Sequence, residues 1–339
     1  MTNSTATSKS SLSYVRSGPL LLVYILPLIA GIVALYDFTI SNELLRYNSL
    51  TPEVQILFLS VALLIDYPHL LASLFPFVDR EYFISYKKPL LITLFLAITA
   101  SIITPLTLGY GATFVLLISV QMHHHLAQQS GICMIFLRQP PSKLLKSWKW
   151  INSILVMTAY CWFFGENEMA DWWLNICYYT GLILVIPALV STLLMLRQPY
   201  LQTIRLNNPV LYIYIVITLW LPLFWFGLAA IGYAPLALLS ALATHGLTAL
   251  IIYAVHDQNR NKESIKNPLY HLSILTRISP LYLCPLMAII IIALTVEVGN
   301  QHMLYYPPIL FLAFFHYFIE GYIWKRSTLH RQHTLFKTV

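Results

Sequence analysis

Charge is scarce in this sequence: only 10% of its 339 residues are Asp, Glu, Lys or Arg, and 58% are hydrophobic. Soluble domains carry about 25% charged and about 45–50% apolar residues, which argues against a soluble globular fold and excludes disorder for all but the ends. Cysteine is also sparse. Cys133, Cys161, Cys177 and Cys284 contain no CxxC spacing, which argues against a disulfide scaffold, a thiolate zinc site and an iron–sulfur cluster. A disulfide between Cys161 and Cys177, on neighbouring apolar segments, stays open. There are 12 glycines and no Gly-rich dinucleotide fingerprint, so the chain has no site of its own for handling reducing equivalents.

What the sequence does have is long uncharged apolar blocks. A spanning helix needs about 20 mostly apolar residues. Ten segments qualify: 18–37, 54–78, 89–108, 111–137, 150–165, 173–196, 209–231, 234–256, 280–297 and 305–324. The expected fold class is therefore all-α: a polytopic membrane helical bundle of about ten transmembrane helices. Residues 1–17 read as a disordered N-terminal tail, 18–324 as the bundle and 325–339 as a cytoplasmic C-terminal tail. Two connections are tight, Leu108-Gly109-Tyr110-Gly111 and Ile231-Gly232-Tyr233, and glycine suits such turns because it accepts positive φ. Prolines stand at segment starts (Pro89, Pro209, Pro235, Pro280), where the first helical turn tolerates them.

The net charge of +7 suggests nucleic acid until the basic residues are placed. Counted over short loops, 19 of the 20 Lys and Arg fall on one side of a ten-segment topology, and only Arg46 falls on the other. The opposite loops are acidic, with Glu166, Glu168, Asp171 and Glu297. This pattern places both ends in the cytoplasm and makes the charge a topological signal. The expected setting is a multi-pass integral membrane protein (of the inner membrane in a bacterium) with the lipid bilayer as a partner and no nucleic-acid partner.

Ionisable residues at membrane depth are costly and mark functional sites. The second segment carries Asp66 and His69. The fourth carries His123, His124 and His125, followed by Gln128 and Gln129. The eighth carries His245 and, at its end, His256 and Asp257. The tenth carries His316 and Glu320. At about 1.5 Å rise per residue, six of the 11 histidines fall within a layer roughly 6 Å deep, on four helices running in the same direction. Three consecutive histidines spread over about 200° of a helix, so one of the three faces away from any common point. His316 and Glu320 are i,i+4 neighbours, a spacing at which side chains meet. Asp66 and His69 are i,i+3. A carboxylate beside a ligating histidine fixes its tautomer. The expected metal ligands are His69, His124, His125, His245 and His316, with Glu320 and Asp66 as bridging or supporting carboxylates at the catalytic centre. His256 divides evenly between a surface residue and a role at the site entrance. His271, His302, His330 and His333 are expected to have no specific role.

Imidazole with a few carboxylates suits iron, copper, zinc or nickel. A centre in the hydrocarbon layer favours a lipid-soluble substrate. The leading expectation is a non-haem iron oxygenase or desaturase acting on an apolar lipid, isoprenoid or carotenoid. A dioxygenase needs no external reductant; a desaturase or hydroxylase needs an electron-transfer partner. Copper is an alternative metal. Two other classes stay open: a haem b membrane protein with axial histidines, and a proton-coupled transporter using Asp66, His245, His316 and Glu320 as a relay.

Tyr67-Pro68-His69 and His316-Tyr317-Phe318-Ile319-Glu320 resemble segments of the Brp/Blh family of intramembrane β-carotene dioxygenases. The resemblance implies a helical membrane bundle holding one iron through histidines from several spans. The sequence departs from that family where Leu70-Leu71-Ala72 follows His69, in place of the family's Gly-Ala-Leu-Asp. His245-Gly246-Leu247 also lacks a second histidine at short spacing.

Overall fold

The computed structural model describes residues 12–46, 49–138, 142–166, 168–300, 306–325 and 327–337. His302 lies outside the described residues, as do 1–11 of the N-terminal tail. Among the described residues the regular secondary structure is all helical, apart from one isolated bridge between Val15 and Phe336. In chain order the helices are α1 (Ser17–Val23), α2 (Ile25–Thr39), α3 (Pro52–Ala72), α4 (Arg80–Ser85), α5 (Lys87–Leu108), α6 (Tyr110–Leu137), α7 (Lys143–Phe164) and α8 (Asp171–Leu196). They continue as α9 (Pro199–Asn207), α10 (Pro209–Ala230), α11 (Ala234–Arg260), α12 (His271–Thr276), α13 (Pro280–Asn300), α14 (Tyr306–Ile323) and α15 (Leu329–His333). Each of the ten apolar segments falls on one or two of these helices. Five helical stretches are long and apolar enough to cross a membrane: Ser17–Thr39, α5, α8, α10 and α11. Pro268–Thr276 and Pro280–Leu294 reach that length and apolarity only when taken together, and they meet at a bend of 108°. There the chain turns at Arg277, in the left-handed region (φ 59°), and restarts at Pro280.

The polar residues that interrupt α6 are also the reason it matters. It has 28 residues, enough for a span, but Gln121, His123, His124, His125, Gln128 and Gln129 interrupt it. The basic residues Lys143, Lys146 and Lys149, expected in the preceding loop, form the first turns of α7, which Ser142 caps by accepting from the Leu145 N–H.

The bundle is built around α11. In its apolar window 78% of residues are buried, against 22–28% in the spans of α1–α2, α5 and α8. Its sequence explains this position: Ala237, Ser240, Ala241, Ala243, Thr244, Gly246, Thr248 and Ala249 are small and all buried. Small residues let helices approach closely. The hydroxyls of Ser240 and Thr244 are satisfied within the helix, Ser240 donating to the Ala237 carbonyl and Thr244 to that of Ser240, so these two positions pack closely without orphaned hydroxyl donors. On one side lies a core with Trp148, Trp225, Tyr160 and Tyr214, and on the other a core with Tyr82, Tyr253 and Tyr270. The outside is the reverse of a soluble protein. Leu106, Ile183 and Ile186 on α5 and α8 are more than 70% exposed, forming a girdle compatible with a bilayer. Gly109 and Gly232 both adopt positive φ (83° and 94°) in their tight turns.

A second polar layer closes the C-terminal end of α11. Arg260 Nε donates to Asp79 at 2.8 Å and its Nη2 to Glu81 at 2.5 Å; that hydrogen bond and charge hold Glu81 below its ordinary pKa. His256 contacts the Tyr82 hydroxyl at 2.9 Å and the Asp257 carboxylate at 2.6 Å, and Tyr270 donates to Asp257. Thus His256, which the sequence left between a surface and an entrance role, is buried. His330, expected to be idle, is also fully buried, stacked on His256 at 4.9 Å with its Nδ1 3.2 Å from the Tyr86 hydroxyl. His333 contributes as well, its carbonyl accepting from Asn259 and its Nε2 lying 3.4 Å from Arg260 Nη1. The two ends of the described chain meet here: Val15 and Phe336 pair, and Asn259 bonds the backbone of Ser13 and His333.

Burial pushes the His330 imidazole below its ordinary pKa, with His256 adding to the effect. A histidine kept neutral in the fold contributes stability above its unfolded pKa of about 6.5, lost as pH falls below that value. Thermal unfolding in detergent should therefore occur at lower temperature as pH drops below about 6.5, and His330→Phe, which keeps a ring there, should flatten that dependence. Asn259→Ala should cost about 1–3 kcal/mol and render residues 12–16 and 333–337 sensitive to limited proteolysis.

Candidate metal centre

Four helices place imidazoles at one point. His69 on α3, His124 and His125 on α6, His245 on α11 and His316 on α14 form a continuous cluster with Asp66 and Glu320. His69 Nε2 and His245 Nε2 are 3.0 Å apart, and His316 Nε2 and His124 Nε2 are 3.2 Å apart. The His69 ring packs edge-on against His245 and His316, with centroids at 4.5 and 4.8 Å. His125 stacks on His245 at 4.0 Å. All are buried except His124, which is partly exposed.

The close approach of α3 and α11 makes this possible. A Cβ added at Gly246 would lie 2.9 Å from the Ile65 carbonyl oxygen and 3.3 Å from both the Asp66 Cα and His69 Nδ1. A side chain at position 246 would wedge the two helices apart at the level of His69 and His245.

Neighbouring groups fix two of the tautomers. Ser73 Oγ donates to the Leu70 carbonyl at 2.6 Å, so towards His316 Nδ1, 3.0 Å away, it acts as acceptor. His316 therefore carries its proton on Nδ1 and presents a bare Nε2. His69 Nδ1 faces the backbone carbonyl of Asp66, which also accepts only, so His69 too presents a bare Nε2. These lone pairs point at His245 and His124. Both carboxylates lie beside the cluster. Asp66 accepts from Gln121 at 2.5 Å and lies 3.3 Å from His69 Nδ1. Glu320 accepts from the Tyr253 hydroxyl at 2.7 Å, and its other oxygen lies 3.3 Å from His124 Nε2.

Three overlapping sets bring one ligand atom per residue within 4.8 Å of one another: His69, His245 and His316; Asp66, His125 and His245; His124, His316 and Glu320. Two ligands at about 2.1 Å from one ion at a right angle are about 3.0 Å apart, the spacing of the His69–His245 pair. Several buried atoms of the cluster lack a hydrogen-bond partner: both nitrogens of His125, Nδ1 of His245 and Oδ1 of Asp66. Buried polar groups are rarely left unpaired, and the residues that carry these atoms, Asp66, His125 and His245, can each turn one ligand atom towards a group that accepts lone pairs. His123, by contrast, turns away and stacks on Trp150 at 4.6 Å.

The site residues missed by sequence reasoning are the ones that hold others in place. Gln121, Ser73 and Tyr253 carry no signal of their own, although Gln121 lies one helical turn from His124 and His125. Gln129 serves a different purpose: it accepts from the hydroxyls of Tyr24 and Tyr214 at 3.1 Å each and anchors α6 to α1 and α10. All four cysteines are free; Cys161 accepts from Trp173 Nε1 at 3.2 Å. Comparison with protein-family models, with curated proteins and with solved structures finds no match to this chain.

Gly246→Ala should lower stability by about 1–3 kcal/mol through overpacking. Gly227→Ala on α10, where a Cβ meets nothing within 4 Å, should not. Thermal unfolding of both variants checks this.

Proposed function

We propose that this chain is a multi-pass membrane protein whose buried histidine cluster binds a transition metal, most consistent with non-haem iron, and oxidises an apolar lipid-soluble substrate with O₂. The observation that carries the reading is the pairing of fixed, bare Nε2 atoms of His69 and His316 with His245 and His124 at 3.0 and 3.2 Å. Two lone-pair-bearing nitrogens do not settle at that distance unless a proton or a cation lies between them.

The membrane setting is supported by the apolar girdle and by the helices long enough to span. We read the ten apolar helical segments as ten crossings with both ends in the cytoplasm. The bias of Lys and Arg to one side favours this, and so does the meeting of Val15 with Phe336, which puts residues near the two ends on the same side.

The donor set of imidazoles with two carboxylates suits iron and copper and disfavours magnesium or calcium. Haem fits less well, because axial ligation places a macrocycle between the imidazoles, and the edge-on packing of His69 against His245 and His316 at 4.5 and 4.8 Å leaves no slot for one. Iron in such a site supplies O₂ activation. The chain's own residues orient the ligands through Ser73, Asp66 and Gln121, hold a carboxylate at the centre through Tyr253, and exclude bulk water by burial. Tyr253 donates its proton towards Glu320 Oε1, which leaves the other oxygen of Glu320 facing His124.

Metal analysis of protein produced with iron tests the reading. His245→Ala and His316→Ala should lose the metal, and His123→Ala should keep it. Ser73→Ala should weaken metal affinity about 10- to 100-fold, the usual effect of removing a ligand's hydrogen-bond partner. Far less than one metal per chain, or full metal in the His316 variant, overturns the centre; a Soret band replaces it with haem.

A further inference from the structure

A half-open cleft of about 1120 Å³ adjoins the histidine cluster, at the upper end of the size range of ligand sites. Its inner end is formed by His124, Tyr317 and Glu320, and its walls by apolar side chains including Ile132, Ile135 and Phe336. The Tyr317 hydroxyl at the inner end is buried without a hydrogen-bond partner. At the other end stand two guanidinium groups, Arg138 just past the end of α6 and Arg331 on α15. Arg331 lies over the Phe336 ring at 5.3 Å. Among the described residues, neither arginine has a carboxylate within 4 Å, so both positive charges face the cleft mouth without a counter-ion.

The length of the cleft relates these ends to a bilayer. His124 and Arg138 are 14 positions apart on one helix, roughly 21 Å at 1.5 Å per residue. Half of a bilayer including its headgroup region is about 20–22 Å thick. A molecule lying along α6 with one end at Arg138 and the other at His124 therefore spans a single leaflet.

Resting on the metal-centre reading for what happens at the inner end, we propose that this cleft binds a single-chain amphiphile with an anionic oxyacid headgroup, phosphate or carboxylate. Arg138 and Arg331 hold the headgroup, and the apolar chain runs inward to His124 and Glu320. The arginines act as a ruler: they fix the headgroup at the interface, and the reacting position is the part of the chain that reaches the bilayer middle. Arginine suits this task because its planar fork matches phosphate and carboxylate oxygens two at a time. The apolar walls accommodate the chain along α6.

Binding to intact protein in nanodiscs tests the proposal with three probes of equal chain length: hexadecyl phosphate, palmitate and hexadecanol. The two anions should bind about tenfold or more tightly than the alcohol, given the strength of hydrogen bonds between charged groups. Arg138→Ala and Arg331→Gln should each remove most of that preference and leave hexadecanol binding unchanged. Arg138→Lys should restore part of it. Gly131 lines the cleft where an added Cβ meets nothing within 4 Å, so Gly131→Trp should fill the cleft and abolish binding of all three probes. Preference for hexadecyl phosphate over palmitate, or the reverse, names the headgroup. Metal content is measured in the same variants and should not change. Retained metal with no headgroup preference overturns the amphiphile alone, whereas absent metal with the preference intact overturns only the metal centre. Equal competition by two-chain dioleoyl phosphatidylglycerol, or insensitivity to Gly131→Trp, also overturns the proposal.

Discussion

The approach of α3 to α11 at Gly246 is the contact on which the rest of the molecule depends. It is backbone against backbone, with no side chain to adjust, so it fixes how far His69 stands from His245. From that pair the cluster extends to His125, stacked on one side, and to His316 and His124 on the other. Polar groups in a hydrocarbon setting must find partners within the protein. The bundle gathers many of them in two layers, one around His69 and His245 and one around His256 and Arg260, with Tyr253 between the layers bonded to Glu320. The small residues of α11 allow both layers to form on a single helix.

The two layers differ in how complete they are. Around Arg260, Asp79, Glu81, His256, Asp257 and Tyr270 the polar side chains find partners, with Nε2 of the neighbouring His330 left over, and the result ties α4, α11, α15 and the chain ends together. Around His245 they do not match: His125, His245 and Asp66 keep buried atoms without partners. A satisfied network rigidifies a fold, while an unsatisfied one of the same composition costs free energy unless a ligand completes it. That contrast within one molecule distinguishes the two layers better than histidine count does.

Much of this was legible in the sequence. The ten apolar blocks correspond to helices because length and apolarity leave few other options. The common depth of His69, His124, His125, His245 and His316 identified the cluster because helical rise converts sequence position directly into height. Depth says nothing about rotation, however, and which of the three consecutive histidines faces away was settled by Trp150, a residue on another helix. The buried state of His330 was illegible for a related reason. It lies on a five-residue helix whose environment comes from α4 and α11, elements distant in sequence. The same holds for Arg138 and Arg331, which appear in the sequence as members of a positive topological bias and face one cleft only in three dimensions.

The facing Nε2 pairs bear on how the proposed metal would enter. Without a cation, each pair is held by one proton lying between two nitrogens. Were a cation to take that place, the imidazole carrying the proton would shift it to its own Nδ1 and stay neutral, so each pair can admit an ion by a change of tautomer with no proton released. A divalent ion would then bring its full charge of two into the buried cluster, and among the described residues that charge would be met there by Asp66 and Glu320.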